Sequence, residues 1–226
     1  MKQKYLFWSL FWLNFPLFAQ TKISFLPVFE GKVCWVSVEN EREIGESDSI
    51  FVEMLRFYVS DFALLHKDSV VWKAANSVHL IDLAKPQSLS FCLEKTENIV
   101  FDKLQFNLGI DSLTHVSGAM GGDLDPTKGM YWTWQSGYIN LKLEGKNWLC
   151  KTRNNEFQFH LGGYQMPNNA LQRLSFSVEN KQNIEIQVPI ADFFNAIDLS
   201  KQAQIMSPSR EAVLLAKKWA AVISVR

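Results

Sequence analysis

The chain has 226 residues, 47% hydrophobic and 20% charged, a balance that supports a packed core and excludes an intrinsically disordered protein. Its 23 basic side chains match 23 acidic ones, and no basic run exceeds Lys217-Lys218, so the dense cationic surface that grips a nucleic-acid backbone is missing. Cys34, Cys92 and Cys150 are too few and too far apart for a disulfide scaffold or a CxxC zinc site; they read as buried small hydrophobes, or as one bridge plus a spare thiol.

The N-terminus differs from everything after it. Lys2 and Lys4 precede a nearly continuous apolar run, Tyr5 to Phe18, which ends at the small residue Ala19. This pattern predicts a secretory signal peptide over residues 1–19, because the run falls short of the roughly 20 residues a membrane span needs and is interrupted by Asn14 and Pro16. No cysteine follows the cleavage point to suggest a lipid anchor, so a periplasmic or secreted product is expected. Residues 20–226 contain no linker, repeat or low-complexity tract and suit one domain.

From there the hydrophobic period is mostly two, as half-buried strands require. Strands are predicted at Ile23 to Phe29, Lys32 to Val38, Met54 to Val59, Val70 to Trp72, Val78 to Leu83, Leu89 to Leu93 and Asn98 to Leu108. More follow at Tyr138 to Leu143, Glu156 to Leu161, Leu171 to Val178 and Asn183 to Val188. Turn formers such as Lys85-Pro86-Gln87, Glu144-Gly145-Lys146-Asn147 and Pro167-Asn168-Asn169 separate them. Short strands so punctuated predict an all-β fold, an antiparallel β-sandwich that is immunoglobulin-like in the loose sense. Helix is confined to a short stretch at Ala191 to Ile197 and to a C-terminal helix, Arg210 to Ala221, capped by Ser209.

The segment from Leu108 to Tyr138 breaks the pattern. It holds six of the eleven glycines and closes on Met130-Tyr131-Trp132-Thr133-Trp134. A long irregular excursion inside a compact domain is usually functional or disordered, and the aromatic cluster argues against disorder. In an extended strand Trp132 and Trp134 would point to the same face, where two indoles either fill core or line a site.

Four histidines are the obvious transition-metal candidates. His66 lies at a strand end among Leu65, Lys67 and Asp68, a typical solvated position. His79 interrupts an apolar strand, with Asp82 on the opposite face by parity; His160 ends another strand just before Gly162-Gly163. His115 sits in the long excursion, free to face any partner. A lone strand histidine is commonly a hydrogen-bonded structural residue, so spacing alone leaves these roles open.

The wording of the sequence adds to its periodicity. Phe106-Asn107-Leu108-Gly109-Ile110-Asp111, Leu124-Asp125-Pro126, Gly129-Met130-Tyr131-Trp132-Thr133-Trp134-Gln135-Ser136-Gly137-Tyr138 and Leu141-Lys142-Leu143-Glu144-Gly145 resemble the MbnP-like family of secreted copper-binding proteins. Tyr58-Val59-Ser60, His79-Leu80-Ile81-Asp82 and His160-Leu161-Gly162-Gly163 follow the same order, and WxWxxGY after the DP-containing loop is the most specific element. The resemblance implies one copper ion, Cu(I) or Cu(II), held by histidine nitrogens and a kynurenine made from tryptophan. The modifying partner it implies is a MauG-like dihaem enzyme of the cytochrome c peroxidase family, of the MbnH type. Carried onto this chain, His79 and His160 are the candidate ligands, Trp132 or Trp134 the oxidised indole, and His115 a further ligand.

The chemistry is sound, since opening an indole yields an aryl amine with a lone pair, and neutral imidazole suits copper. Each ligating imidazole should hand its second proton to an acceptor; Asp82, Asp111, Asp123 and Asp125 are the nearby acids, all equally explained as turn formers. Met120, Met130 and Met166 are soft donors, though core filling is their commoner use. The rival readings are a glycan-binding module stacking sugars on Trp132, Trp134 and Tyr131 beside Asp123 and Asp125, and a purely adhesive sandwich. An enzyme is not indicated, because no G-x-S-x-G, H-E-x-x-H, P-loop or G-x-G-x-x-G motif occurs. The chain reads as the substrate of an oxidising enzyme, and as a monomer.

Overall fold

A computed structural model describes residues 20–29, 32–33, 50–75, 77–134, 137–179 and 181–226. The predicted signal peptide, Cys34 and the second predicted strand beyond Val33 therefore lie outside the described residues. In chain order the strands are β1 (Thr21–Phe29), β2 (Lys32–Val33), β3 (Phe51–His66), β4 (Ser69–Lys73), β5 (Val78–Asp82), β6 (Ser90–Leu93) and β7 (Lys103–Leu108). A short helix α1 (Ser112–Val116) precedes β8 (Tyr131–Trp132), β9 (Gly137–Lys146), β10 (Glu156–Gly162), β11 (Gln172–Ser177) and β12 (Asn183–Pro189). Helix α2 (Ile190–Asn195), β13 (Gln204–Ile205), α3 (Arg210–Val222) and β14 (Ser224–Val225) complete the chain.

Two sheets face each other across an apolar core. The smaller runs β14-β12-β1-β2 with β6 also on β1; the larger runs β11-β7-β3-β9-β10-β13, with β4 and β5 on β3 and β8 on β9. The fold is thus the expected β-sandwich with a C-terminal helix, but it is not wholly antiparallel. β1 pairs with β12 in parallel, as β10 does with β13, because the chain returns from the large sheet before laying β12 beside its own beginning. Phe25 meets Phe57 and Phe106 edge-on at 5.7 and 6.1 Å, and Trp219 of α3 packs on Phe57 and Phe193 at 5.9 and 5.2 Å. Ser209 caps α3, its hydroxyl accepting from Ala212 N–H at 3.1 Å.

Several strand ends differ from their reading: β9 continues through Glu144, Gly145 and Lys146, expected to turn, because these residues pair with β3 and β10 on both sides. β7 begins at Lys103 because a turn comes first, with Ile99 N–H bonded to Thr96 C=O and Asn98 at φ 70°. β3 extends to both sides of Met54–Val59, and its central residues are buried on both faces, which erases the alternation that marks a half-exposed strand. Residues 56–57 of β3 pair with β5 and β9, and residues 59–60 with β5 and β7. A strand has two edges, so β7 and β9 lie end to end along the edge opposite β5. The excursion leaves between them, and its described residues, 109–134, lie over Tyr58 and Leu80 on the outer face of the large sheet.

Cys92 and Cys150 are free thiols, the first exposed and the second buried. Among the described residues no helix is long and apolar enough to cross a membrane.

Candidate functional site

The excursion is ordered by its own polar groups. Asp111 caps α1 through Thr114 N–H at 3.0 Å, Asp125 caps the following turn through Thr127 N–H at 2.8 Å, and Gly129 takes the left-handed φ of 71° that ends it. Tyr58 donates to Asp123 C=O, while Tyr138 donates to Gly118 C=O and accepts from Met120 N–H. Burial pushes both phenols up. Beneath the loop a second apolar cluster forms from Tyr58, Leu80, Met130, Trp132, Tyr138 and their neighbours.

His115 is the one buried residue of α1 and is 0% exposed. Its Nδ1 accepts Tyr138 N–H at 3.0 Å, so the neutral ring carries its proton on Nε2, which makes no well-aligned hydrogen bond and has only the Asn140 amide and the Ile110 backbone within reach. The Asn140 amide lies beside it; its Oδ1 is taken by Ile110 N–H at 3.1 Å and its Nδ2 likewise makes no well-aligned hydrogen bond. Burial drives the His115 pKa down to about 4, outweighing the Asn140 amide and the Asp111 charge, so the ring is neutral at physiological pH.

Trp132 joins this histidine through Gly137. The two residues pair across β8 and β9, and a Cβ on Gly137 would stand 3.6 Å from His115 Nδ1. The indole lies on Gly162, where a Cβ would come within 2.6 Å of its Cζ3. Trp132 is 6% exposed and Trp134 66%. The strand ends at Trp132 and a turn follows, so the same-face expectation for the two indoles does not hold, although their centroids remain 5.9 Å apart.

The other histidines are held elsewhere. His160 shares the outer face, two residues before Gly162, in a cross-strand row with Lys142, Arg56 and Asp82. Its Nε2 meets Glu144 Oε1 at 2.5 Å, a bond that keeps the carboxyl below its ordinary range. Arg56 pairs with Asp82 at 2.9 Å and donates to Lys128 C=O at 3.1 Å, tying the loop to this row. His79 lies opposite Val59 and points to the inter-sheet side, stacked on Phe91 at 3.7 Å and edge-on to Phe62 at 6.1 Å. It therefore does not share a cavity with His160 and Trp132 as the sequence reading requires; strand parity sends it through the sheet. Burial lowers its pKa, against the Asp123 charge. His66 sits at the end of β3, 3.7 Å from Asp102.

The four acids serve other partners. Asp82 holds Arg56, Asp111 and Asp125 cap turns, and Asp123, although burial raises its carboxyl, is kept below the ordinary range by Lys128 at 2.6 Å and Leu80 N–H at 3.0 Å. Met130 fills core as expected, whereas Met120 and Met166 are exposed. Sequence reasoning missed Asn140 and Tyr164, whose ring stacks on His115 at 4.7 Å. A polar residue inside an apolar strand and an aromatic directly after a glycine pair were the available signals.

Among the described residues no three His, Cys, Asp or Glu side chains converge as a metal cage. A copper site made of imidazoles and an altered indole is a different donor set. Of its expected members His115 and Trp132 both adjoin Gly137, His160 lies two residues before the glycine that meets the Trp132 indole, and His79 is turned to the inter-sheet side.

The fold defines a β-sandwich protein whose loop covers a buried cluster, with His115 and Trp132 among its members, on the outer face of one sheet. The chain belongs to the MbnP family, whose model matches residues 19–207. Its structure is similar to that of MbnP from Methylosinus trichosporium, with a TM-score of 0.60 and 14% identity over 91% of this chain and 97% of that one. No curated protein matches it.

Proposed function

We propose that the protein is a secreted copper-binding protein, free in the periplasm or outside the cell, that takes up, stores or delivers one copper ion and is not itself an enzyme. The observation that carries this reading is a fully buried, neutral imidazole whose Nε2 makes no well-aligned hydrogen bond, beside the glycine that is the strand partner of a buried tryptophan. Buried polar atoms are nearly always paired, and an orphan in a histidine is a reason to look for a ligand. His115 and the altered Trp132 side chain are the primary donors, with His160 as the adjoining imidazole once Glu144 releases its Nε2. Copper supplies a cation that imidazole and aryl amine nitrogens both favour. Copper at Nε2 needs the other neutral tautomer, with the proton moved to Nδ1 and the Tyr138 N–H bond given up, and because protonation of the ring competes with copper, uptake should weaken as pH falls toward about 4.

A MauG-like dihaem enzyme is the proposed modifier. Protein produced with such an enzyme should gain about 4 Da on the peptide containing Trp132, from the loss of one carbon and the gain of one oxygen in making kynurenine. Produced alone it should keep the indole and bind copper weakly. Copper titration of the modified protein and its His115→Ala and Trp132→Phe variants is the deciding experiment. Unchanged affinity in both variants refutes the ligand assignment, and tight sugar binding without copper would favour the glycan reading.

A further inference from the structure

A fully buried ligand raises the question of how an ion reaches it, an issue that rests on the copper reading above. Of the residues set against the His115 ring, Ile110, Gly137, Tyr138 and Asn140 are buried, and Tyr164, stacked on it, is partly exposed. Its ring lies nearly parallel to the imidazole, at 4.7 Å and 18°, with the next three residues in solvent. Gly137 lies against both rings of the stack, since a Cβ there would be in ordinary contact with each, at 3.5 Å from Tyr164 and 3.6 Å from His115.

The backbone around this ring is fixed on both sides. Gly163 has φ 107° and is hemmed in, a Cβ there falling 2.2 Å from Asn168 O, and its carbonyl accepts Ala170 N–H at 3.0 Å. The Tyr164 carbonyl accepts the Ser112 hydroxyl at 3.0 Å, which ties the same residue to the start of α1. A partly exposed ring on a pinned backbone, stacked on one face, moves by side-chain rotation alone. Such rotations occur within nanoseconds for exposed side chains, whereas lifting α1 would break the bonds of Tyr138 with Gly118 and Met120.

We propose that the Tyr164 side chain is the gate to His115, and that its rotation opens the imidazole to solvent and to incoming copper. The gate can be tested without metal, by acylating the apo protein with diethyl pyrocarbonate and following each histidine by peptide mass spectrometry. Tyr164→Ala should raise the His115 rate about tenfold, the scale set by losing one aromatic stack. Tyr164→Phe should leave it unchanged, as should both variants for buried His160, with half-exposed His66 as the open reference. An unchanged His115 rate in Tyr164→Ala overturns the gate, and so does an equal rise at His160, which would mean general loosening. A parallel arm follows Cu(I) transfer from a chelator, expected to be faster in Tyr164→Ala. If acylation responds and no variant takes copper, the gate stands and the copper reading fails.

Discussion

Gly162→Ala tests the packing of the Trp132 site directly. The new Cβ would lie 2.6 and 2.8 Å from Trp132 Cζ3 and Cη2 and 2.8 Å from Tyr138 O, where carbon contacts normally settle at about 3.5–4.0 Å. Trp132 has little room to retreat, since it is buried with Met130, Tyr58 and Tyr138, and the carbonyl belongs to β9. Overpacking of this kind costs about 1–3 kcal/mol. Gly162 lies outside the left-handed region, so alanine's smaller unfolded-state entropy offsets about 0.4–1 kcal/mol. The net loss should be about 1–2 kcal/mol, or about 2–8 °C in Tm for a domain of this size. Urea unfolding followed by far-UV circular dichroism measures it without using Trp132 as the probe. Trp132→Phe removes the outer indole edge, so in that background the cost should fall by at least about 0.5 kcal/mol, leaving the clash with Tyr138 O. Equal losses in the two backgrounds, or a stabilising Gly162→Ala, would refute the placement of the indole on this glycine.

The buried neutral His115 makes stability depend on acid. Its folded pKa of about 4 lies below the ordinary 6.5, so as pH falls through that window the unfolded chain takes up a proton that the folded chain refuses. Going from about pH 7 to about pH 4.5 should therefore cost about 2 kcal/mol more in the wild type than in His115→Asn, and parallel pH profiles of urea midpoints would contradict this. At the other end of the molecule, Ser209→Ala should lose about 1 kcal/mol by removing the cap of α3, read as a lower urea midpoint at constant slope.

Local structure was legible where one face of a strand meets water. β10, β12 and α3 follow their predicted spans closely because alternation, or a capping serine, is itself the physical signal. β3 was half seen, because a strand covered on both faces no longer alternates. Parity correctly separated His79 from Asp82, yet it could not say which side of the sheet faces the loop; only the pairing of β5 with β3 decides that His79 turns toward Phe91 and away from Trp132. Trp134 was misread for a local reason, the turn that begins directly after Trp132.

The site itself depends on a topological relation that no short window contains. With β7 and β9 end to end on one edge of β3, the chain must leave the sheet at Gly109 and return beside the same spot. Gly109 N–H binds Tyr58 C=O at the exit, Ile110 N–H binds Asn140 across the gap, and Ile139 N–H binds Met130 C=O at the return. Closing so long an excursion costs little more than closing a short one, because the entropy grows only as the logarithm of length. The residues between these anchors are thereby confined over Tyr58 and Tyr138. Glycine at 109 is required at the crossing, since φ is 105° and a Cβ would stand 2.6 Å from the Asn140 amide. The sequence features read separately, a glycine-rich excursion, a histidine within it and an aromatic cluster at its end, form one site because the exit and the return share a single sheet edge.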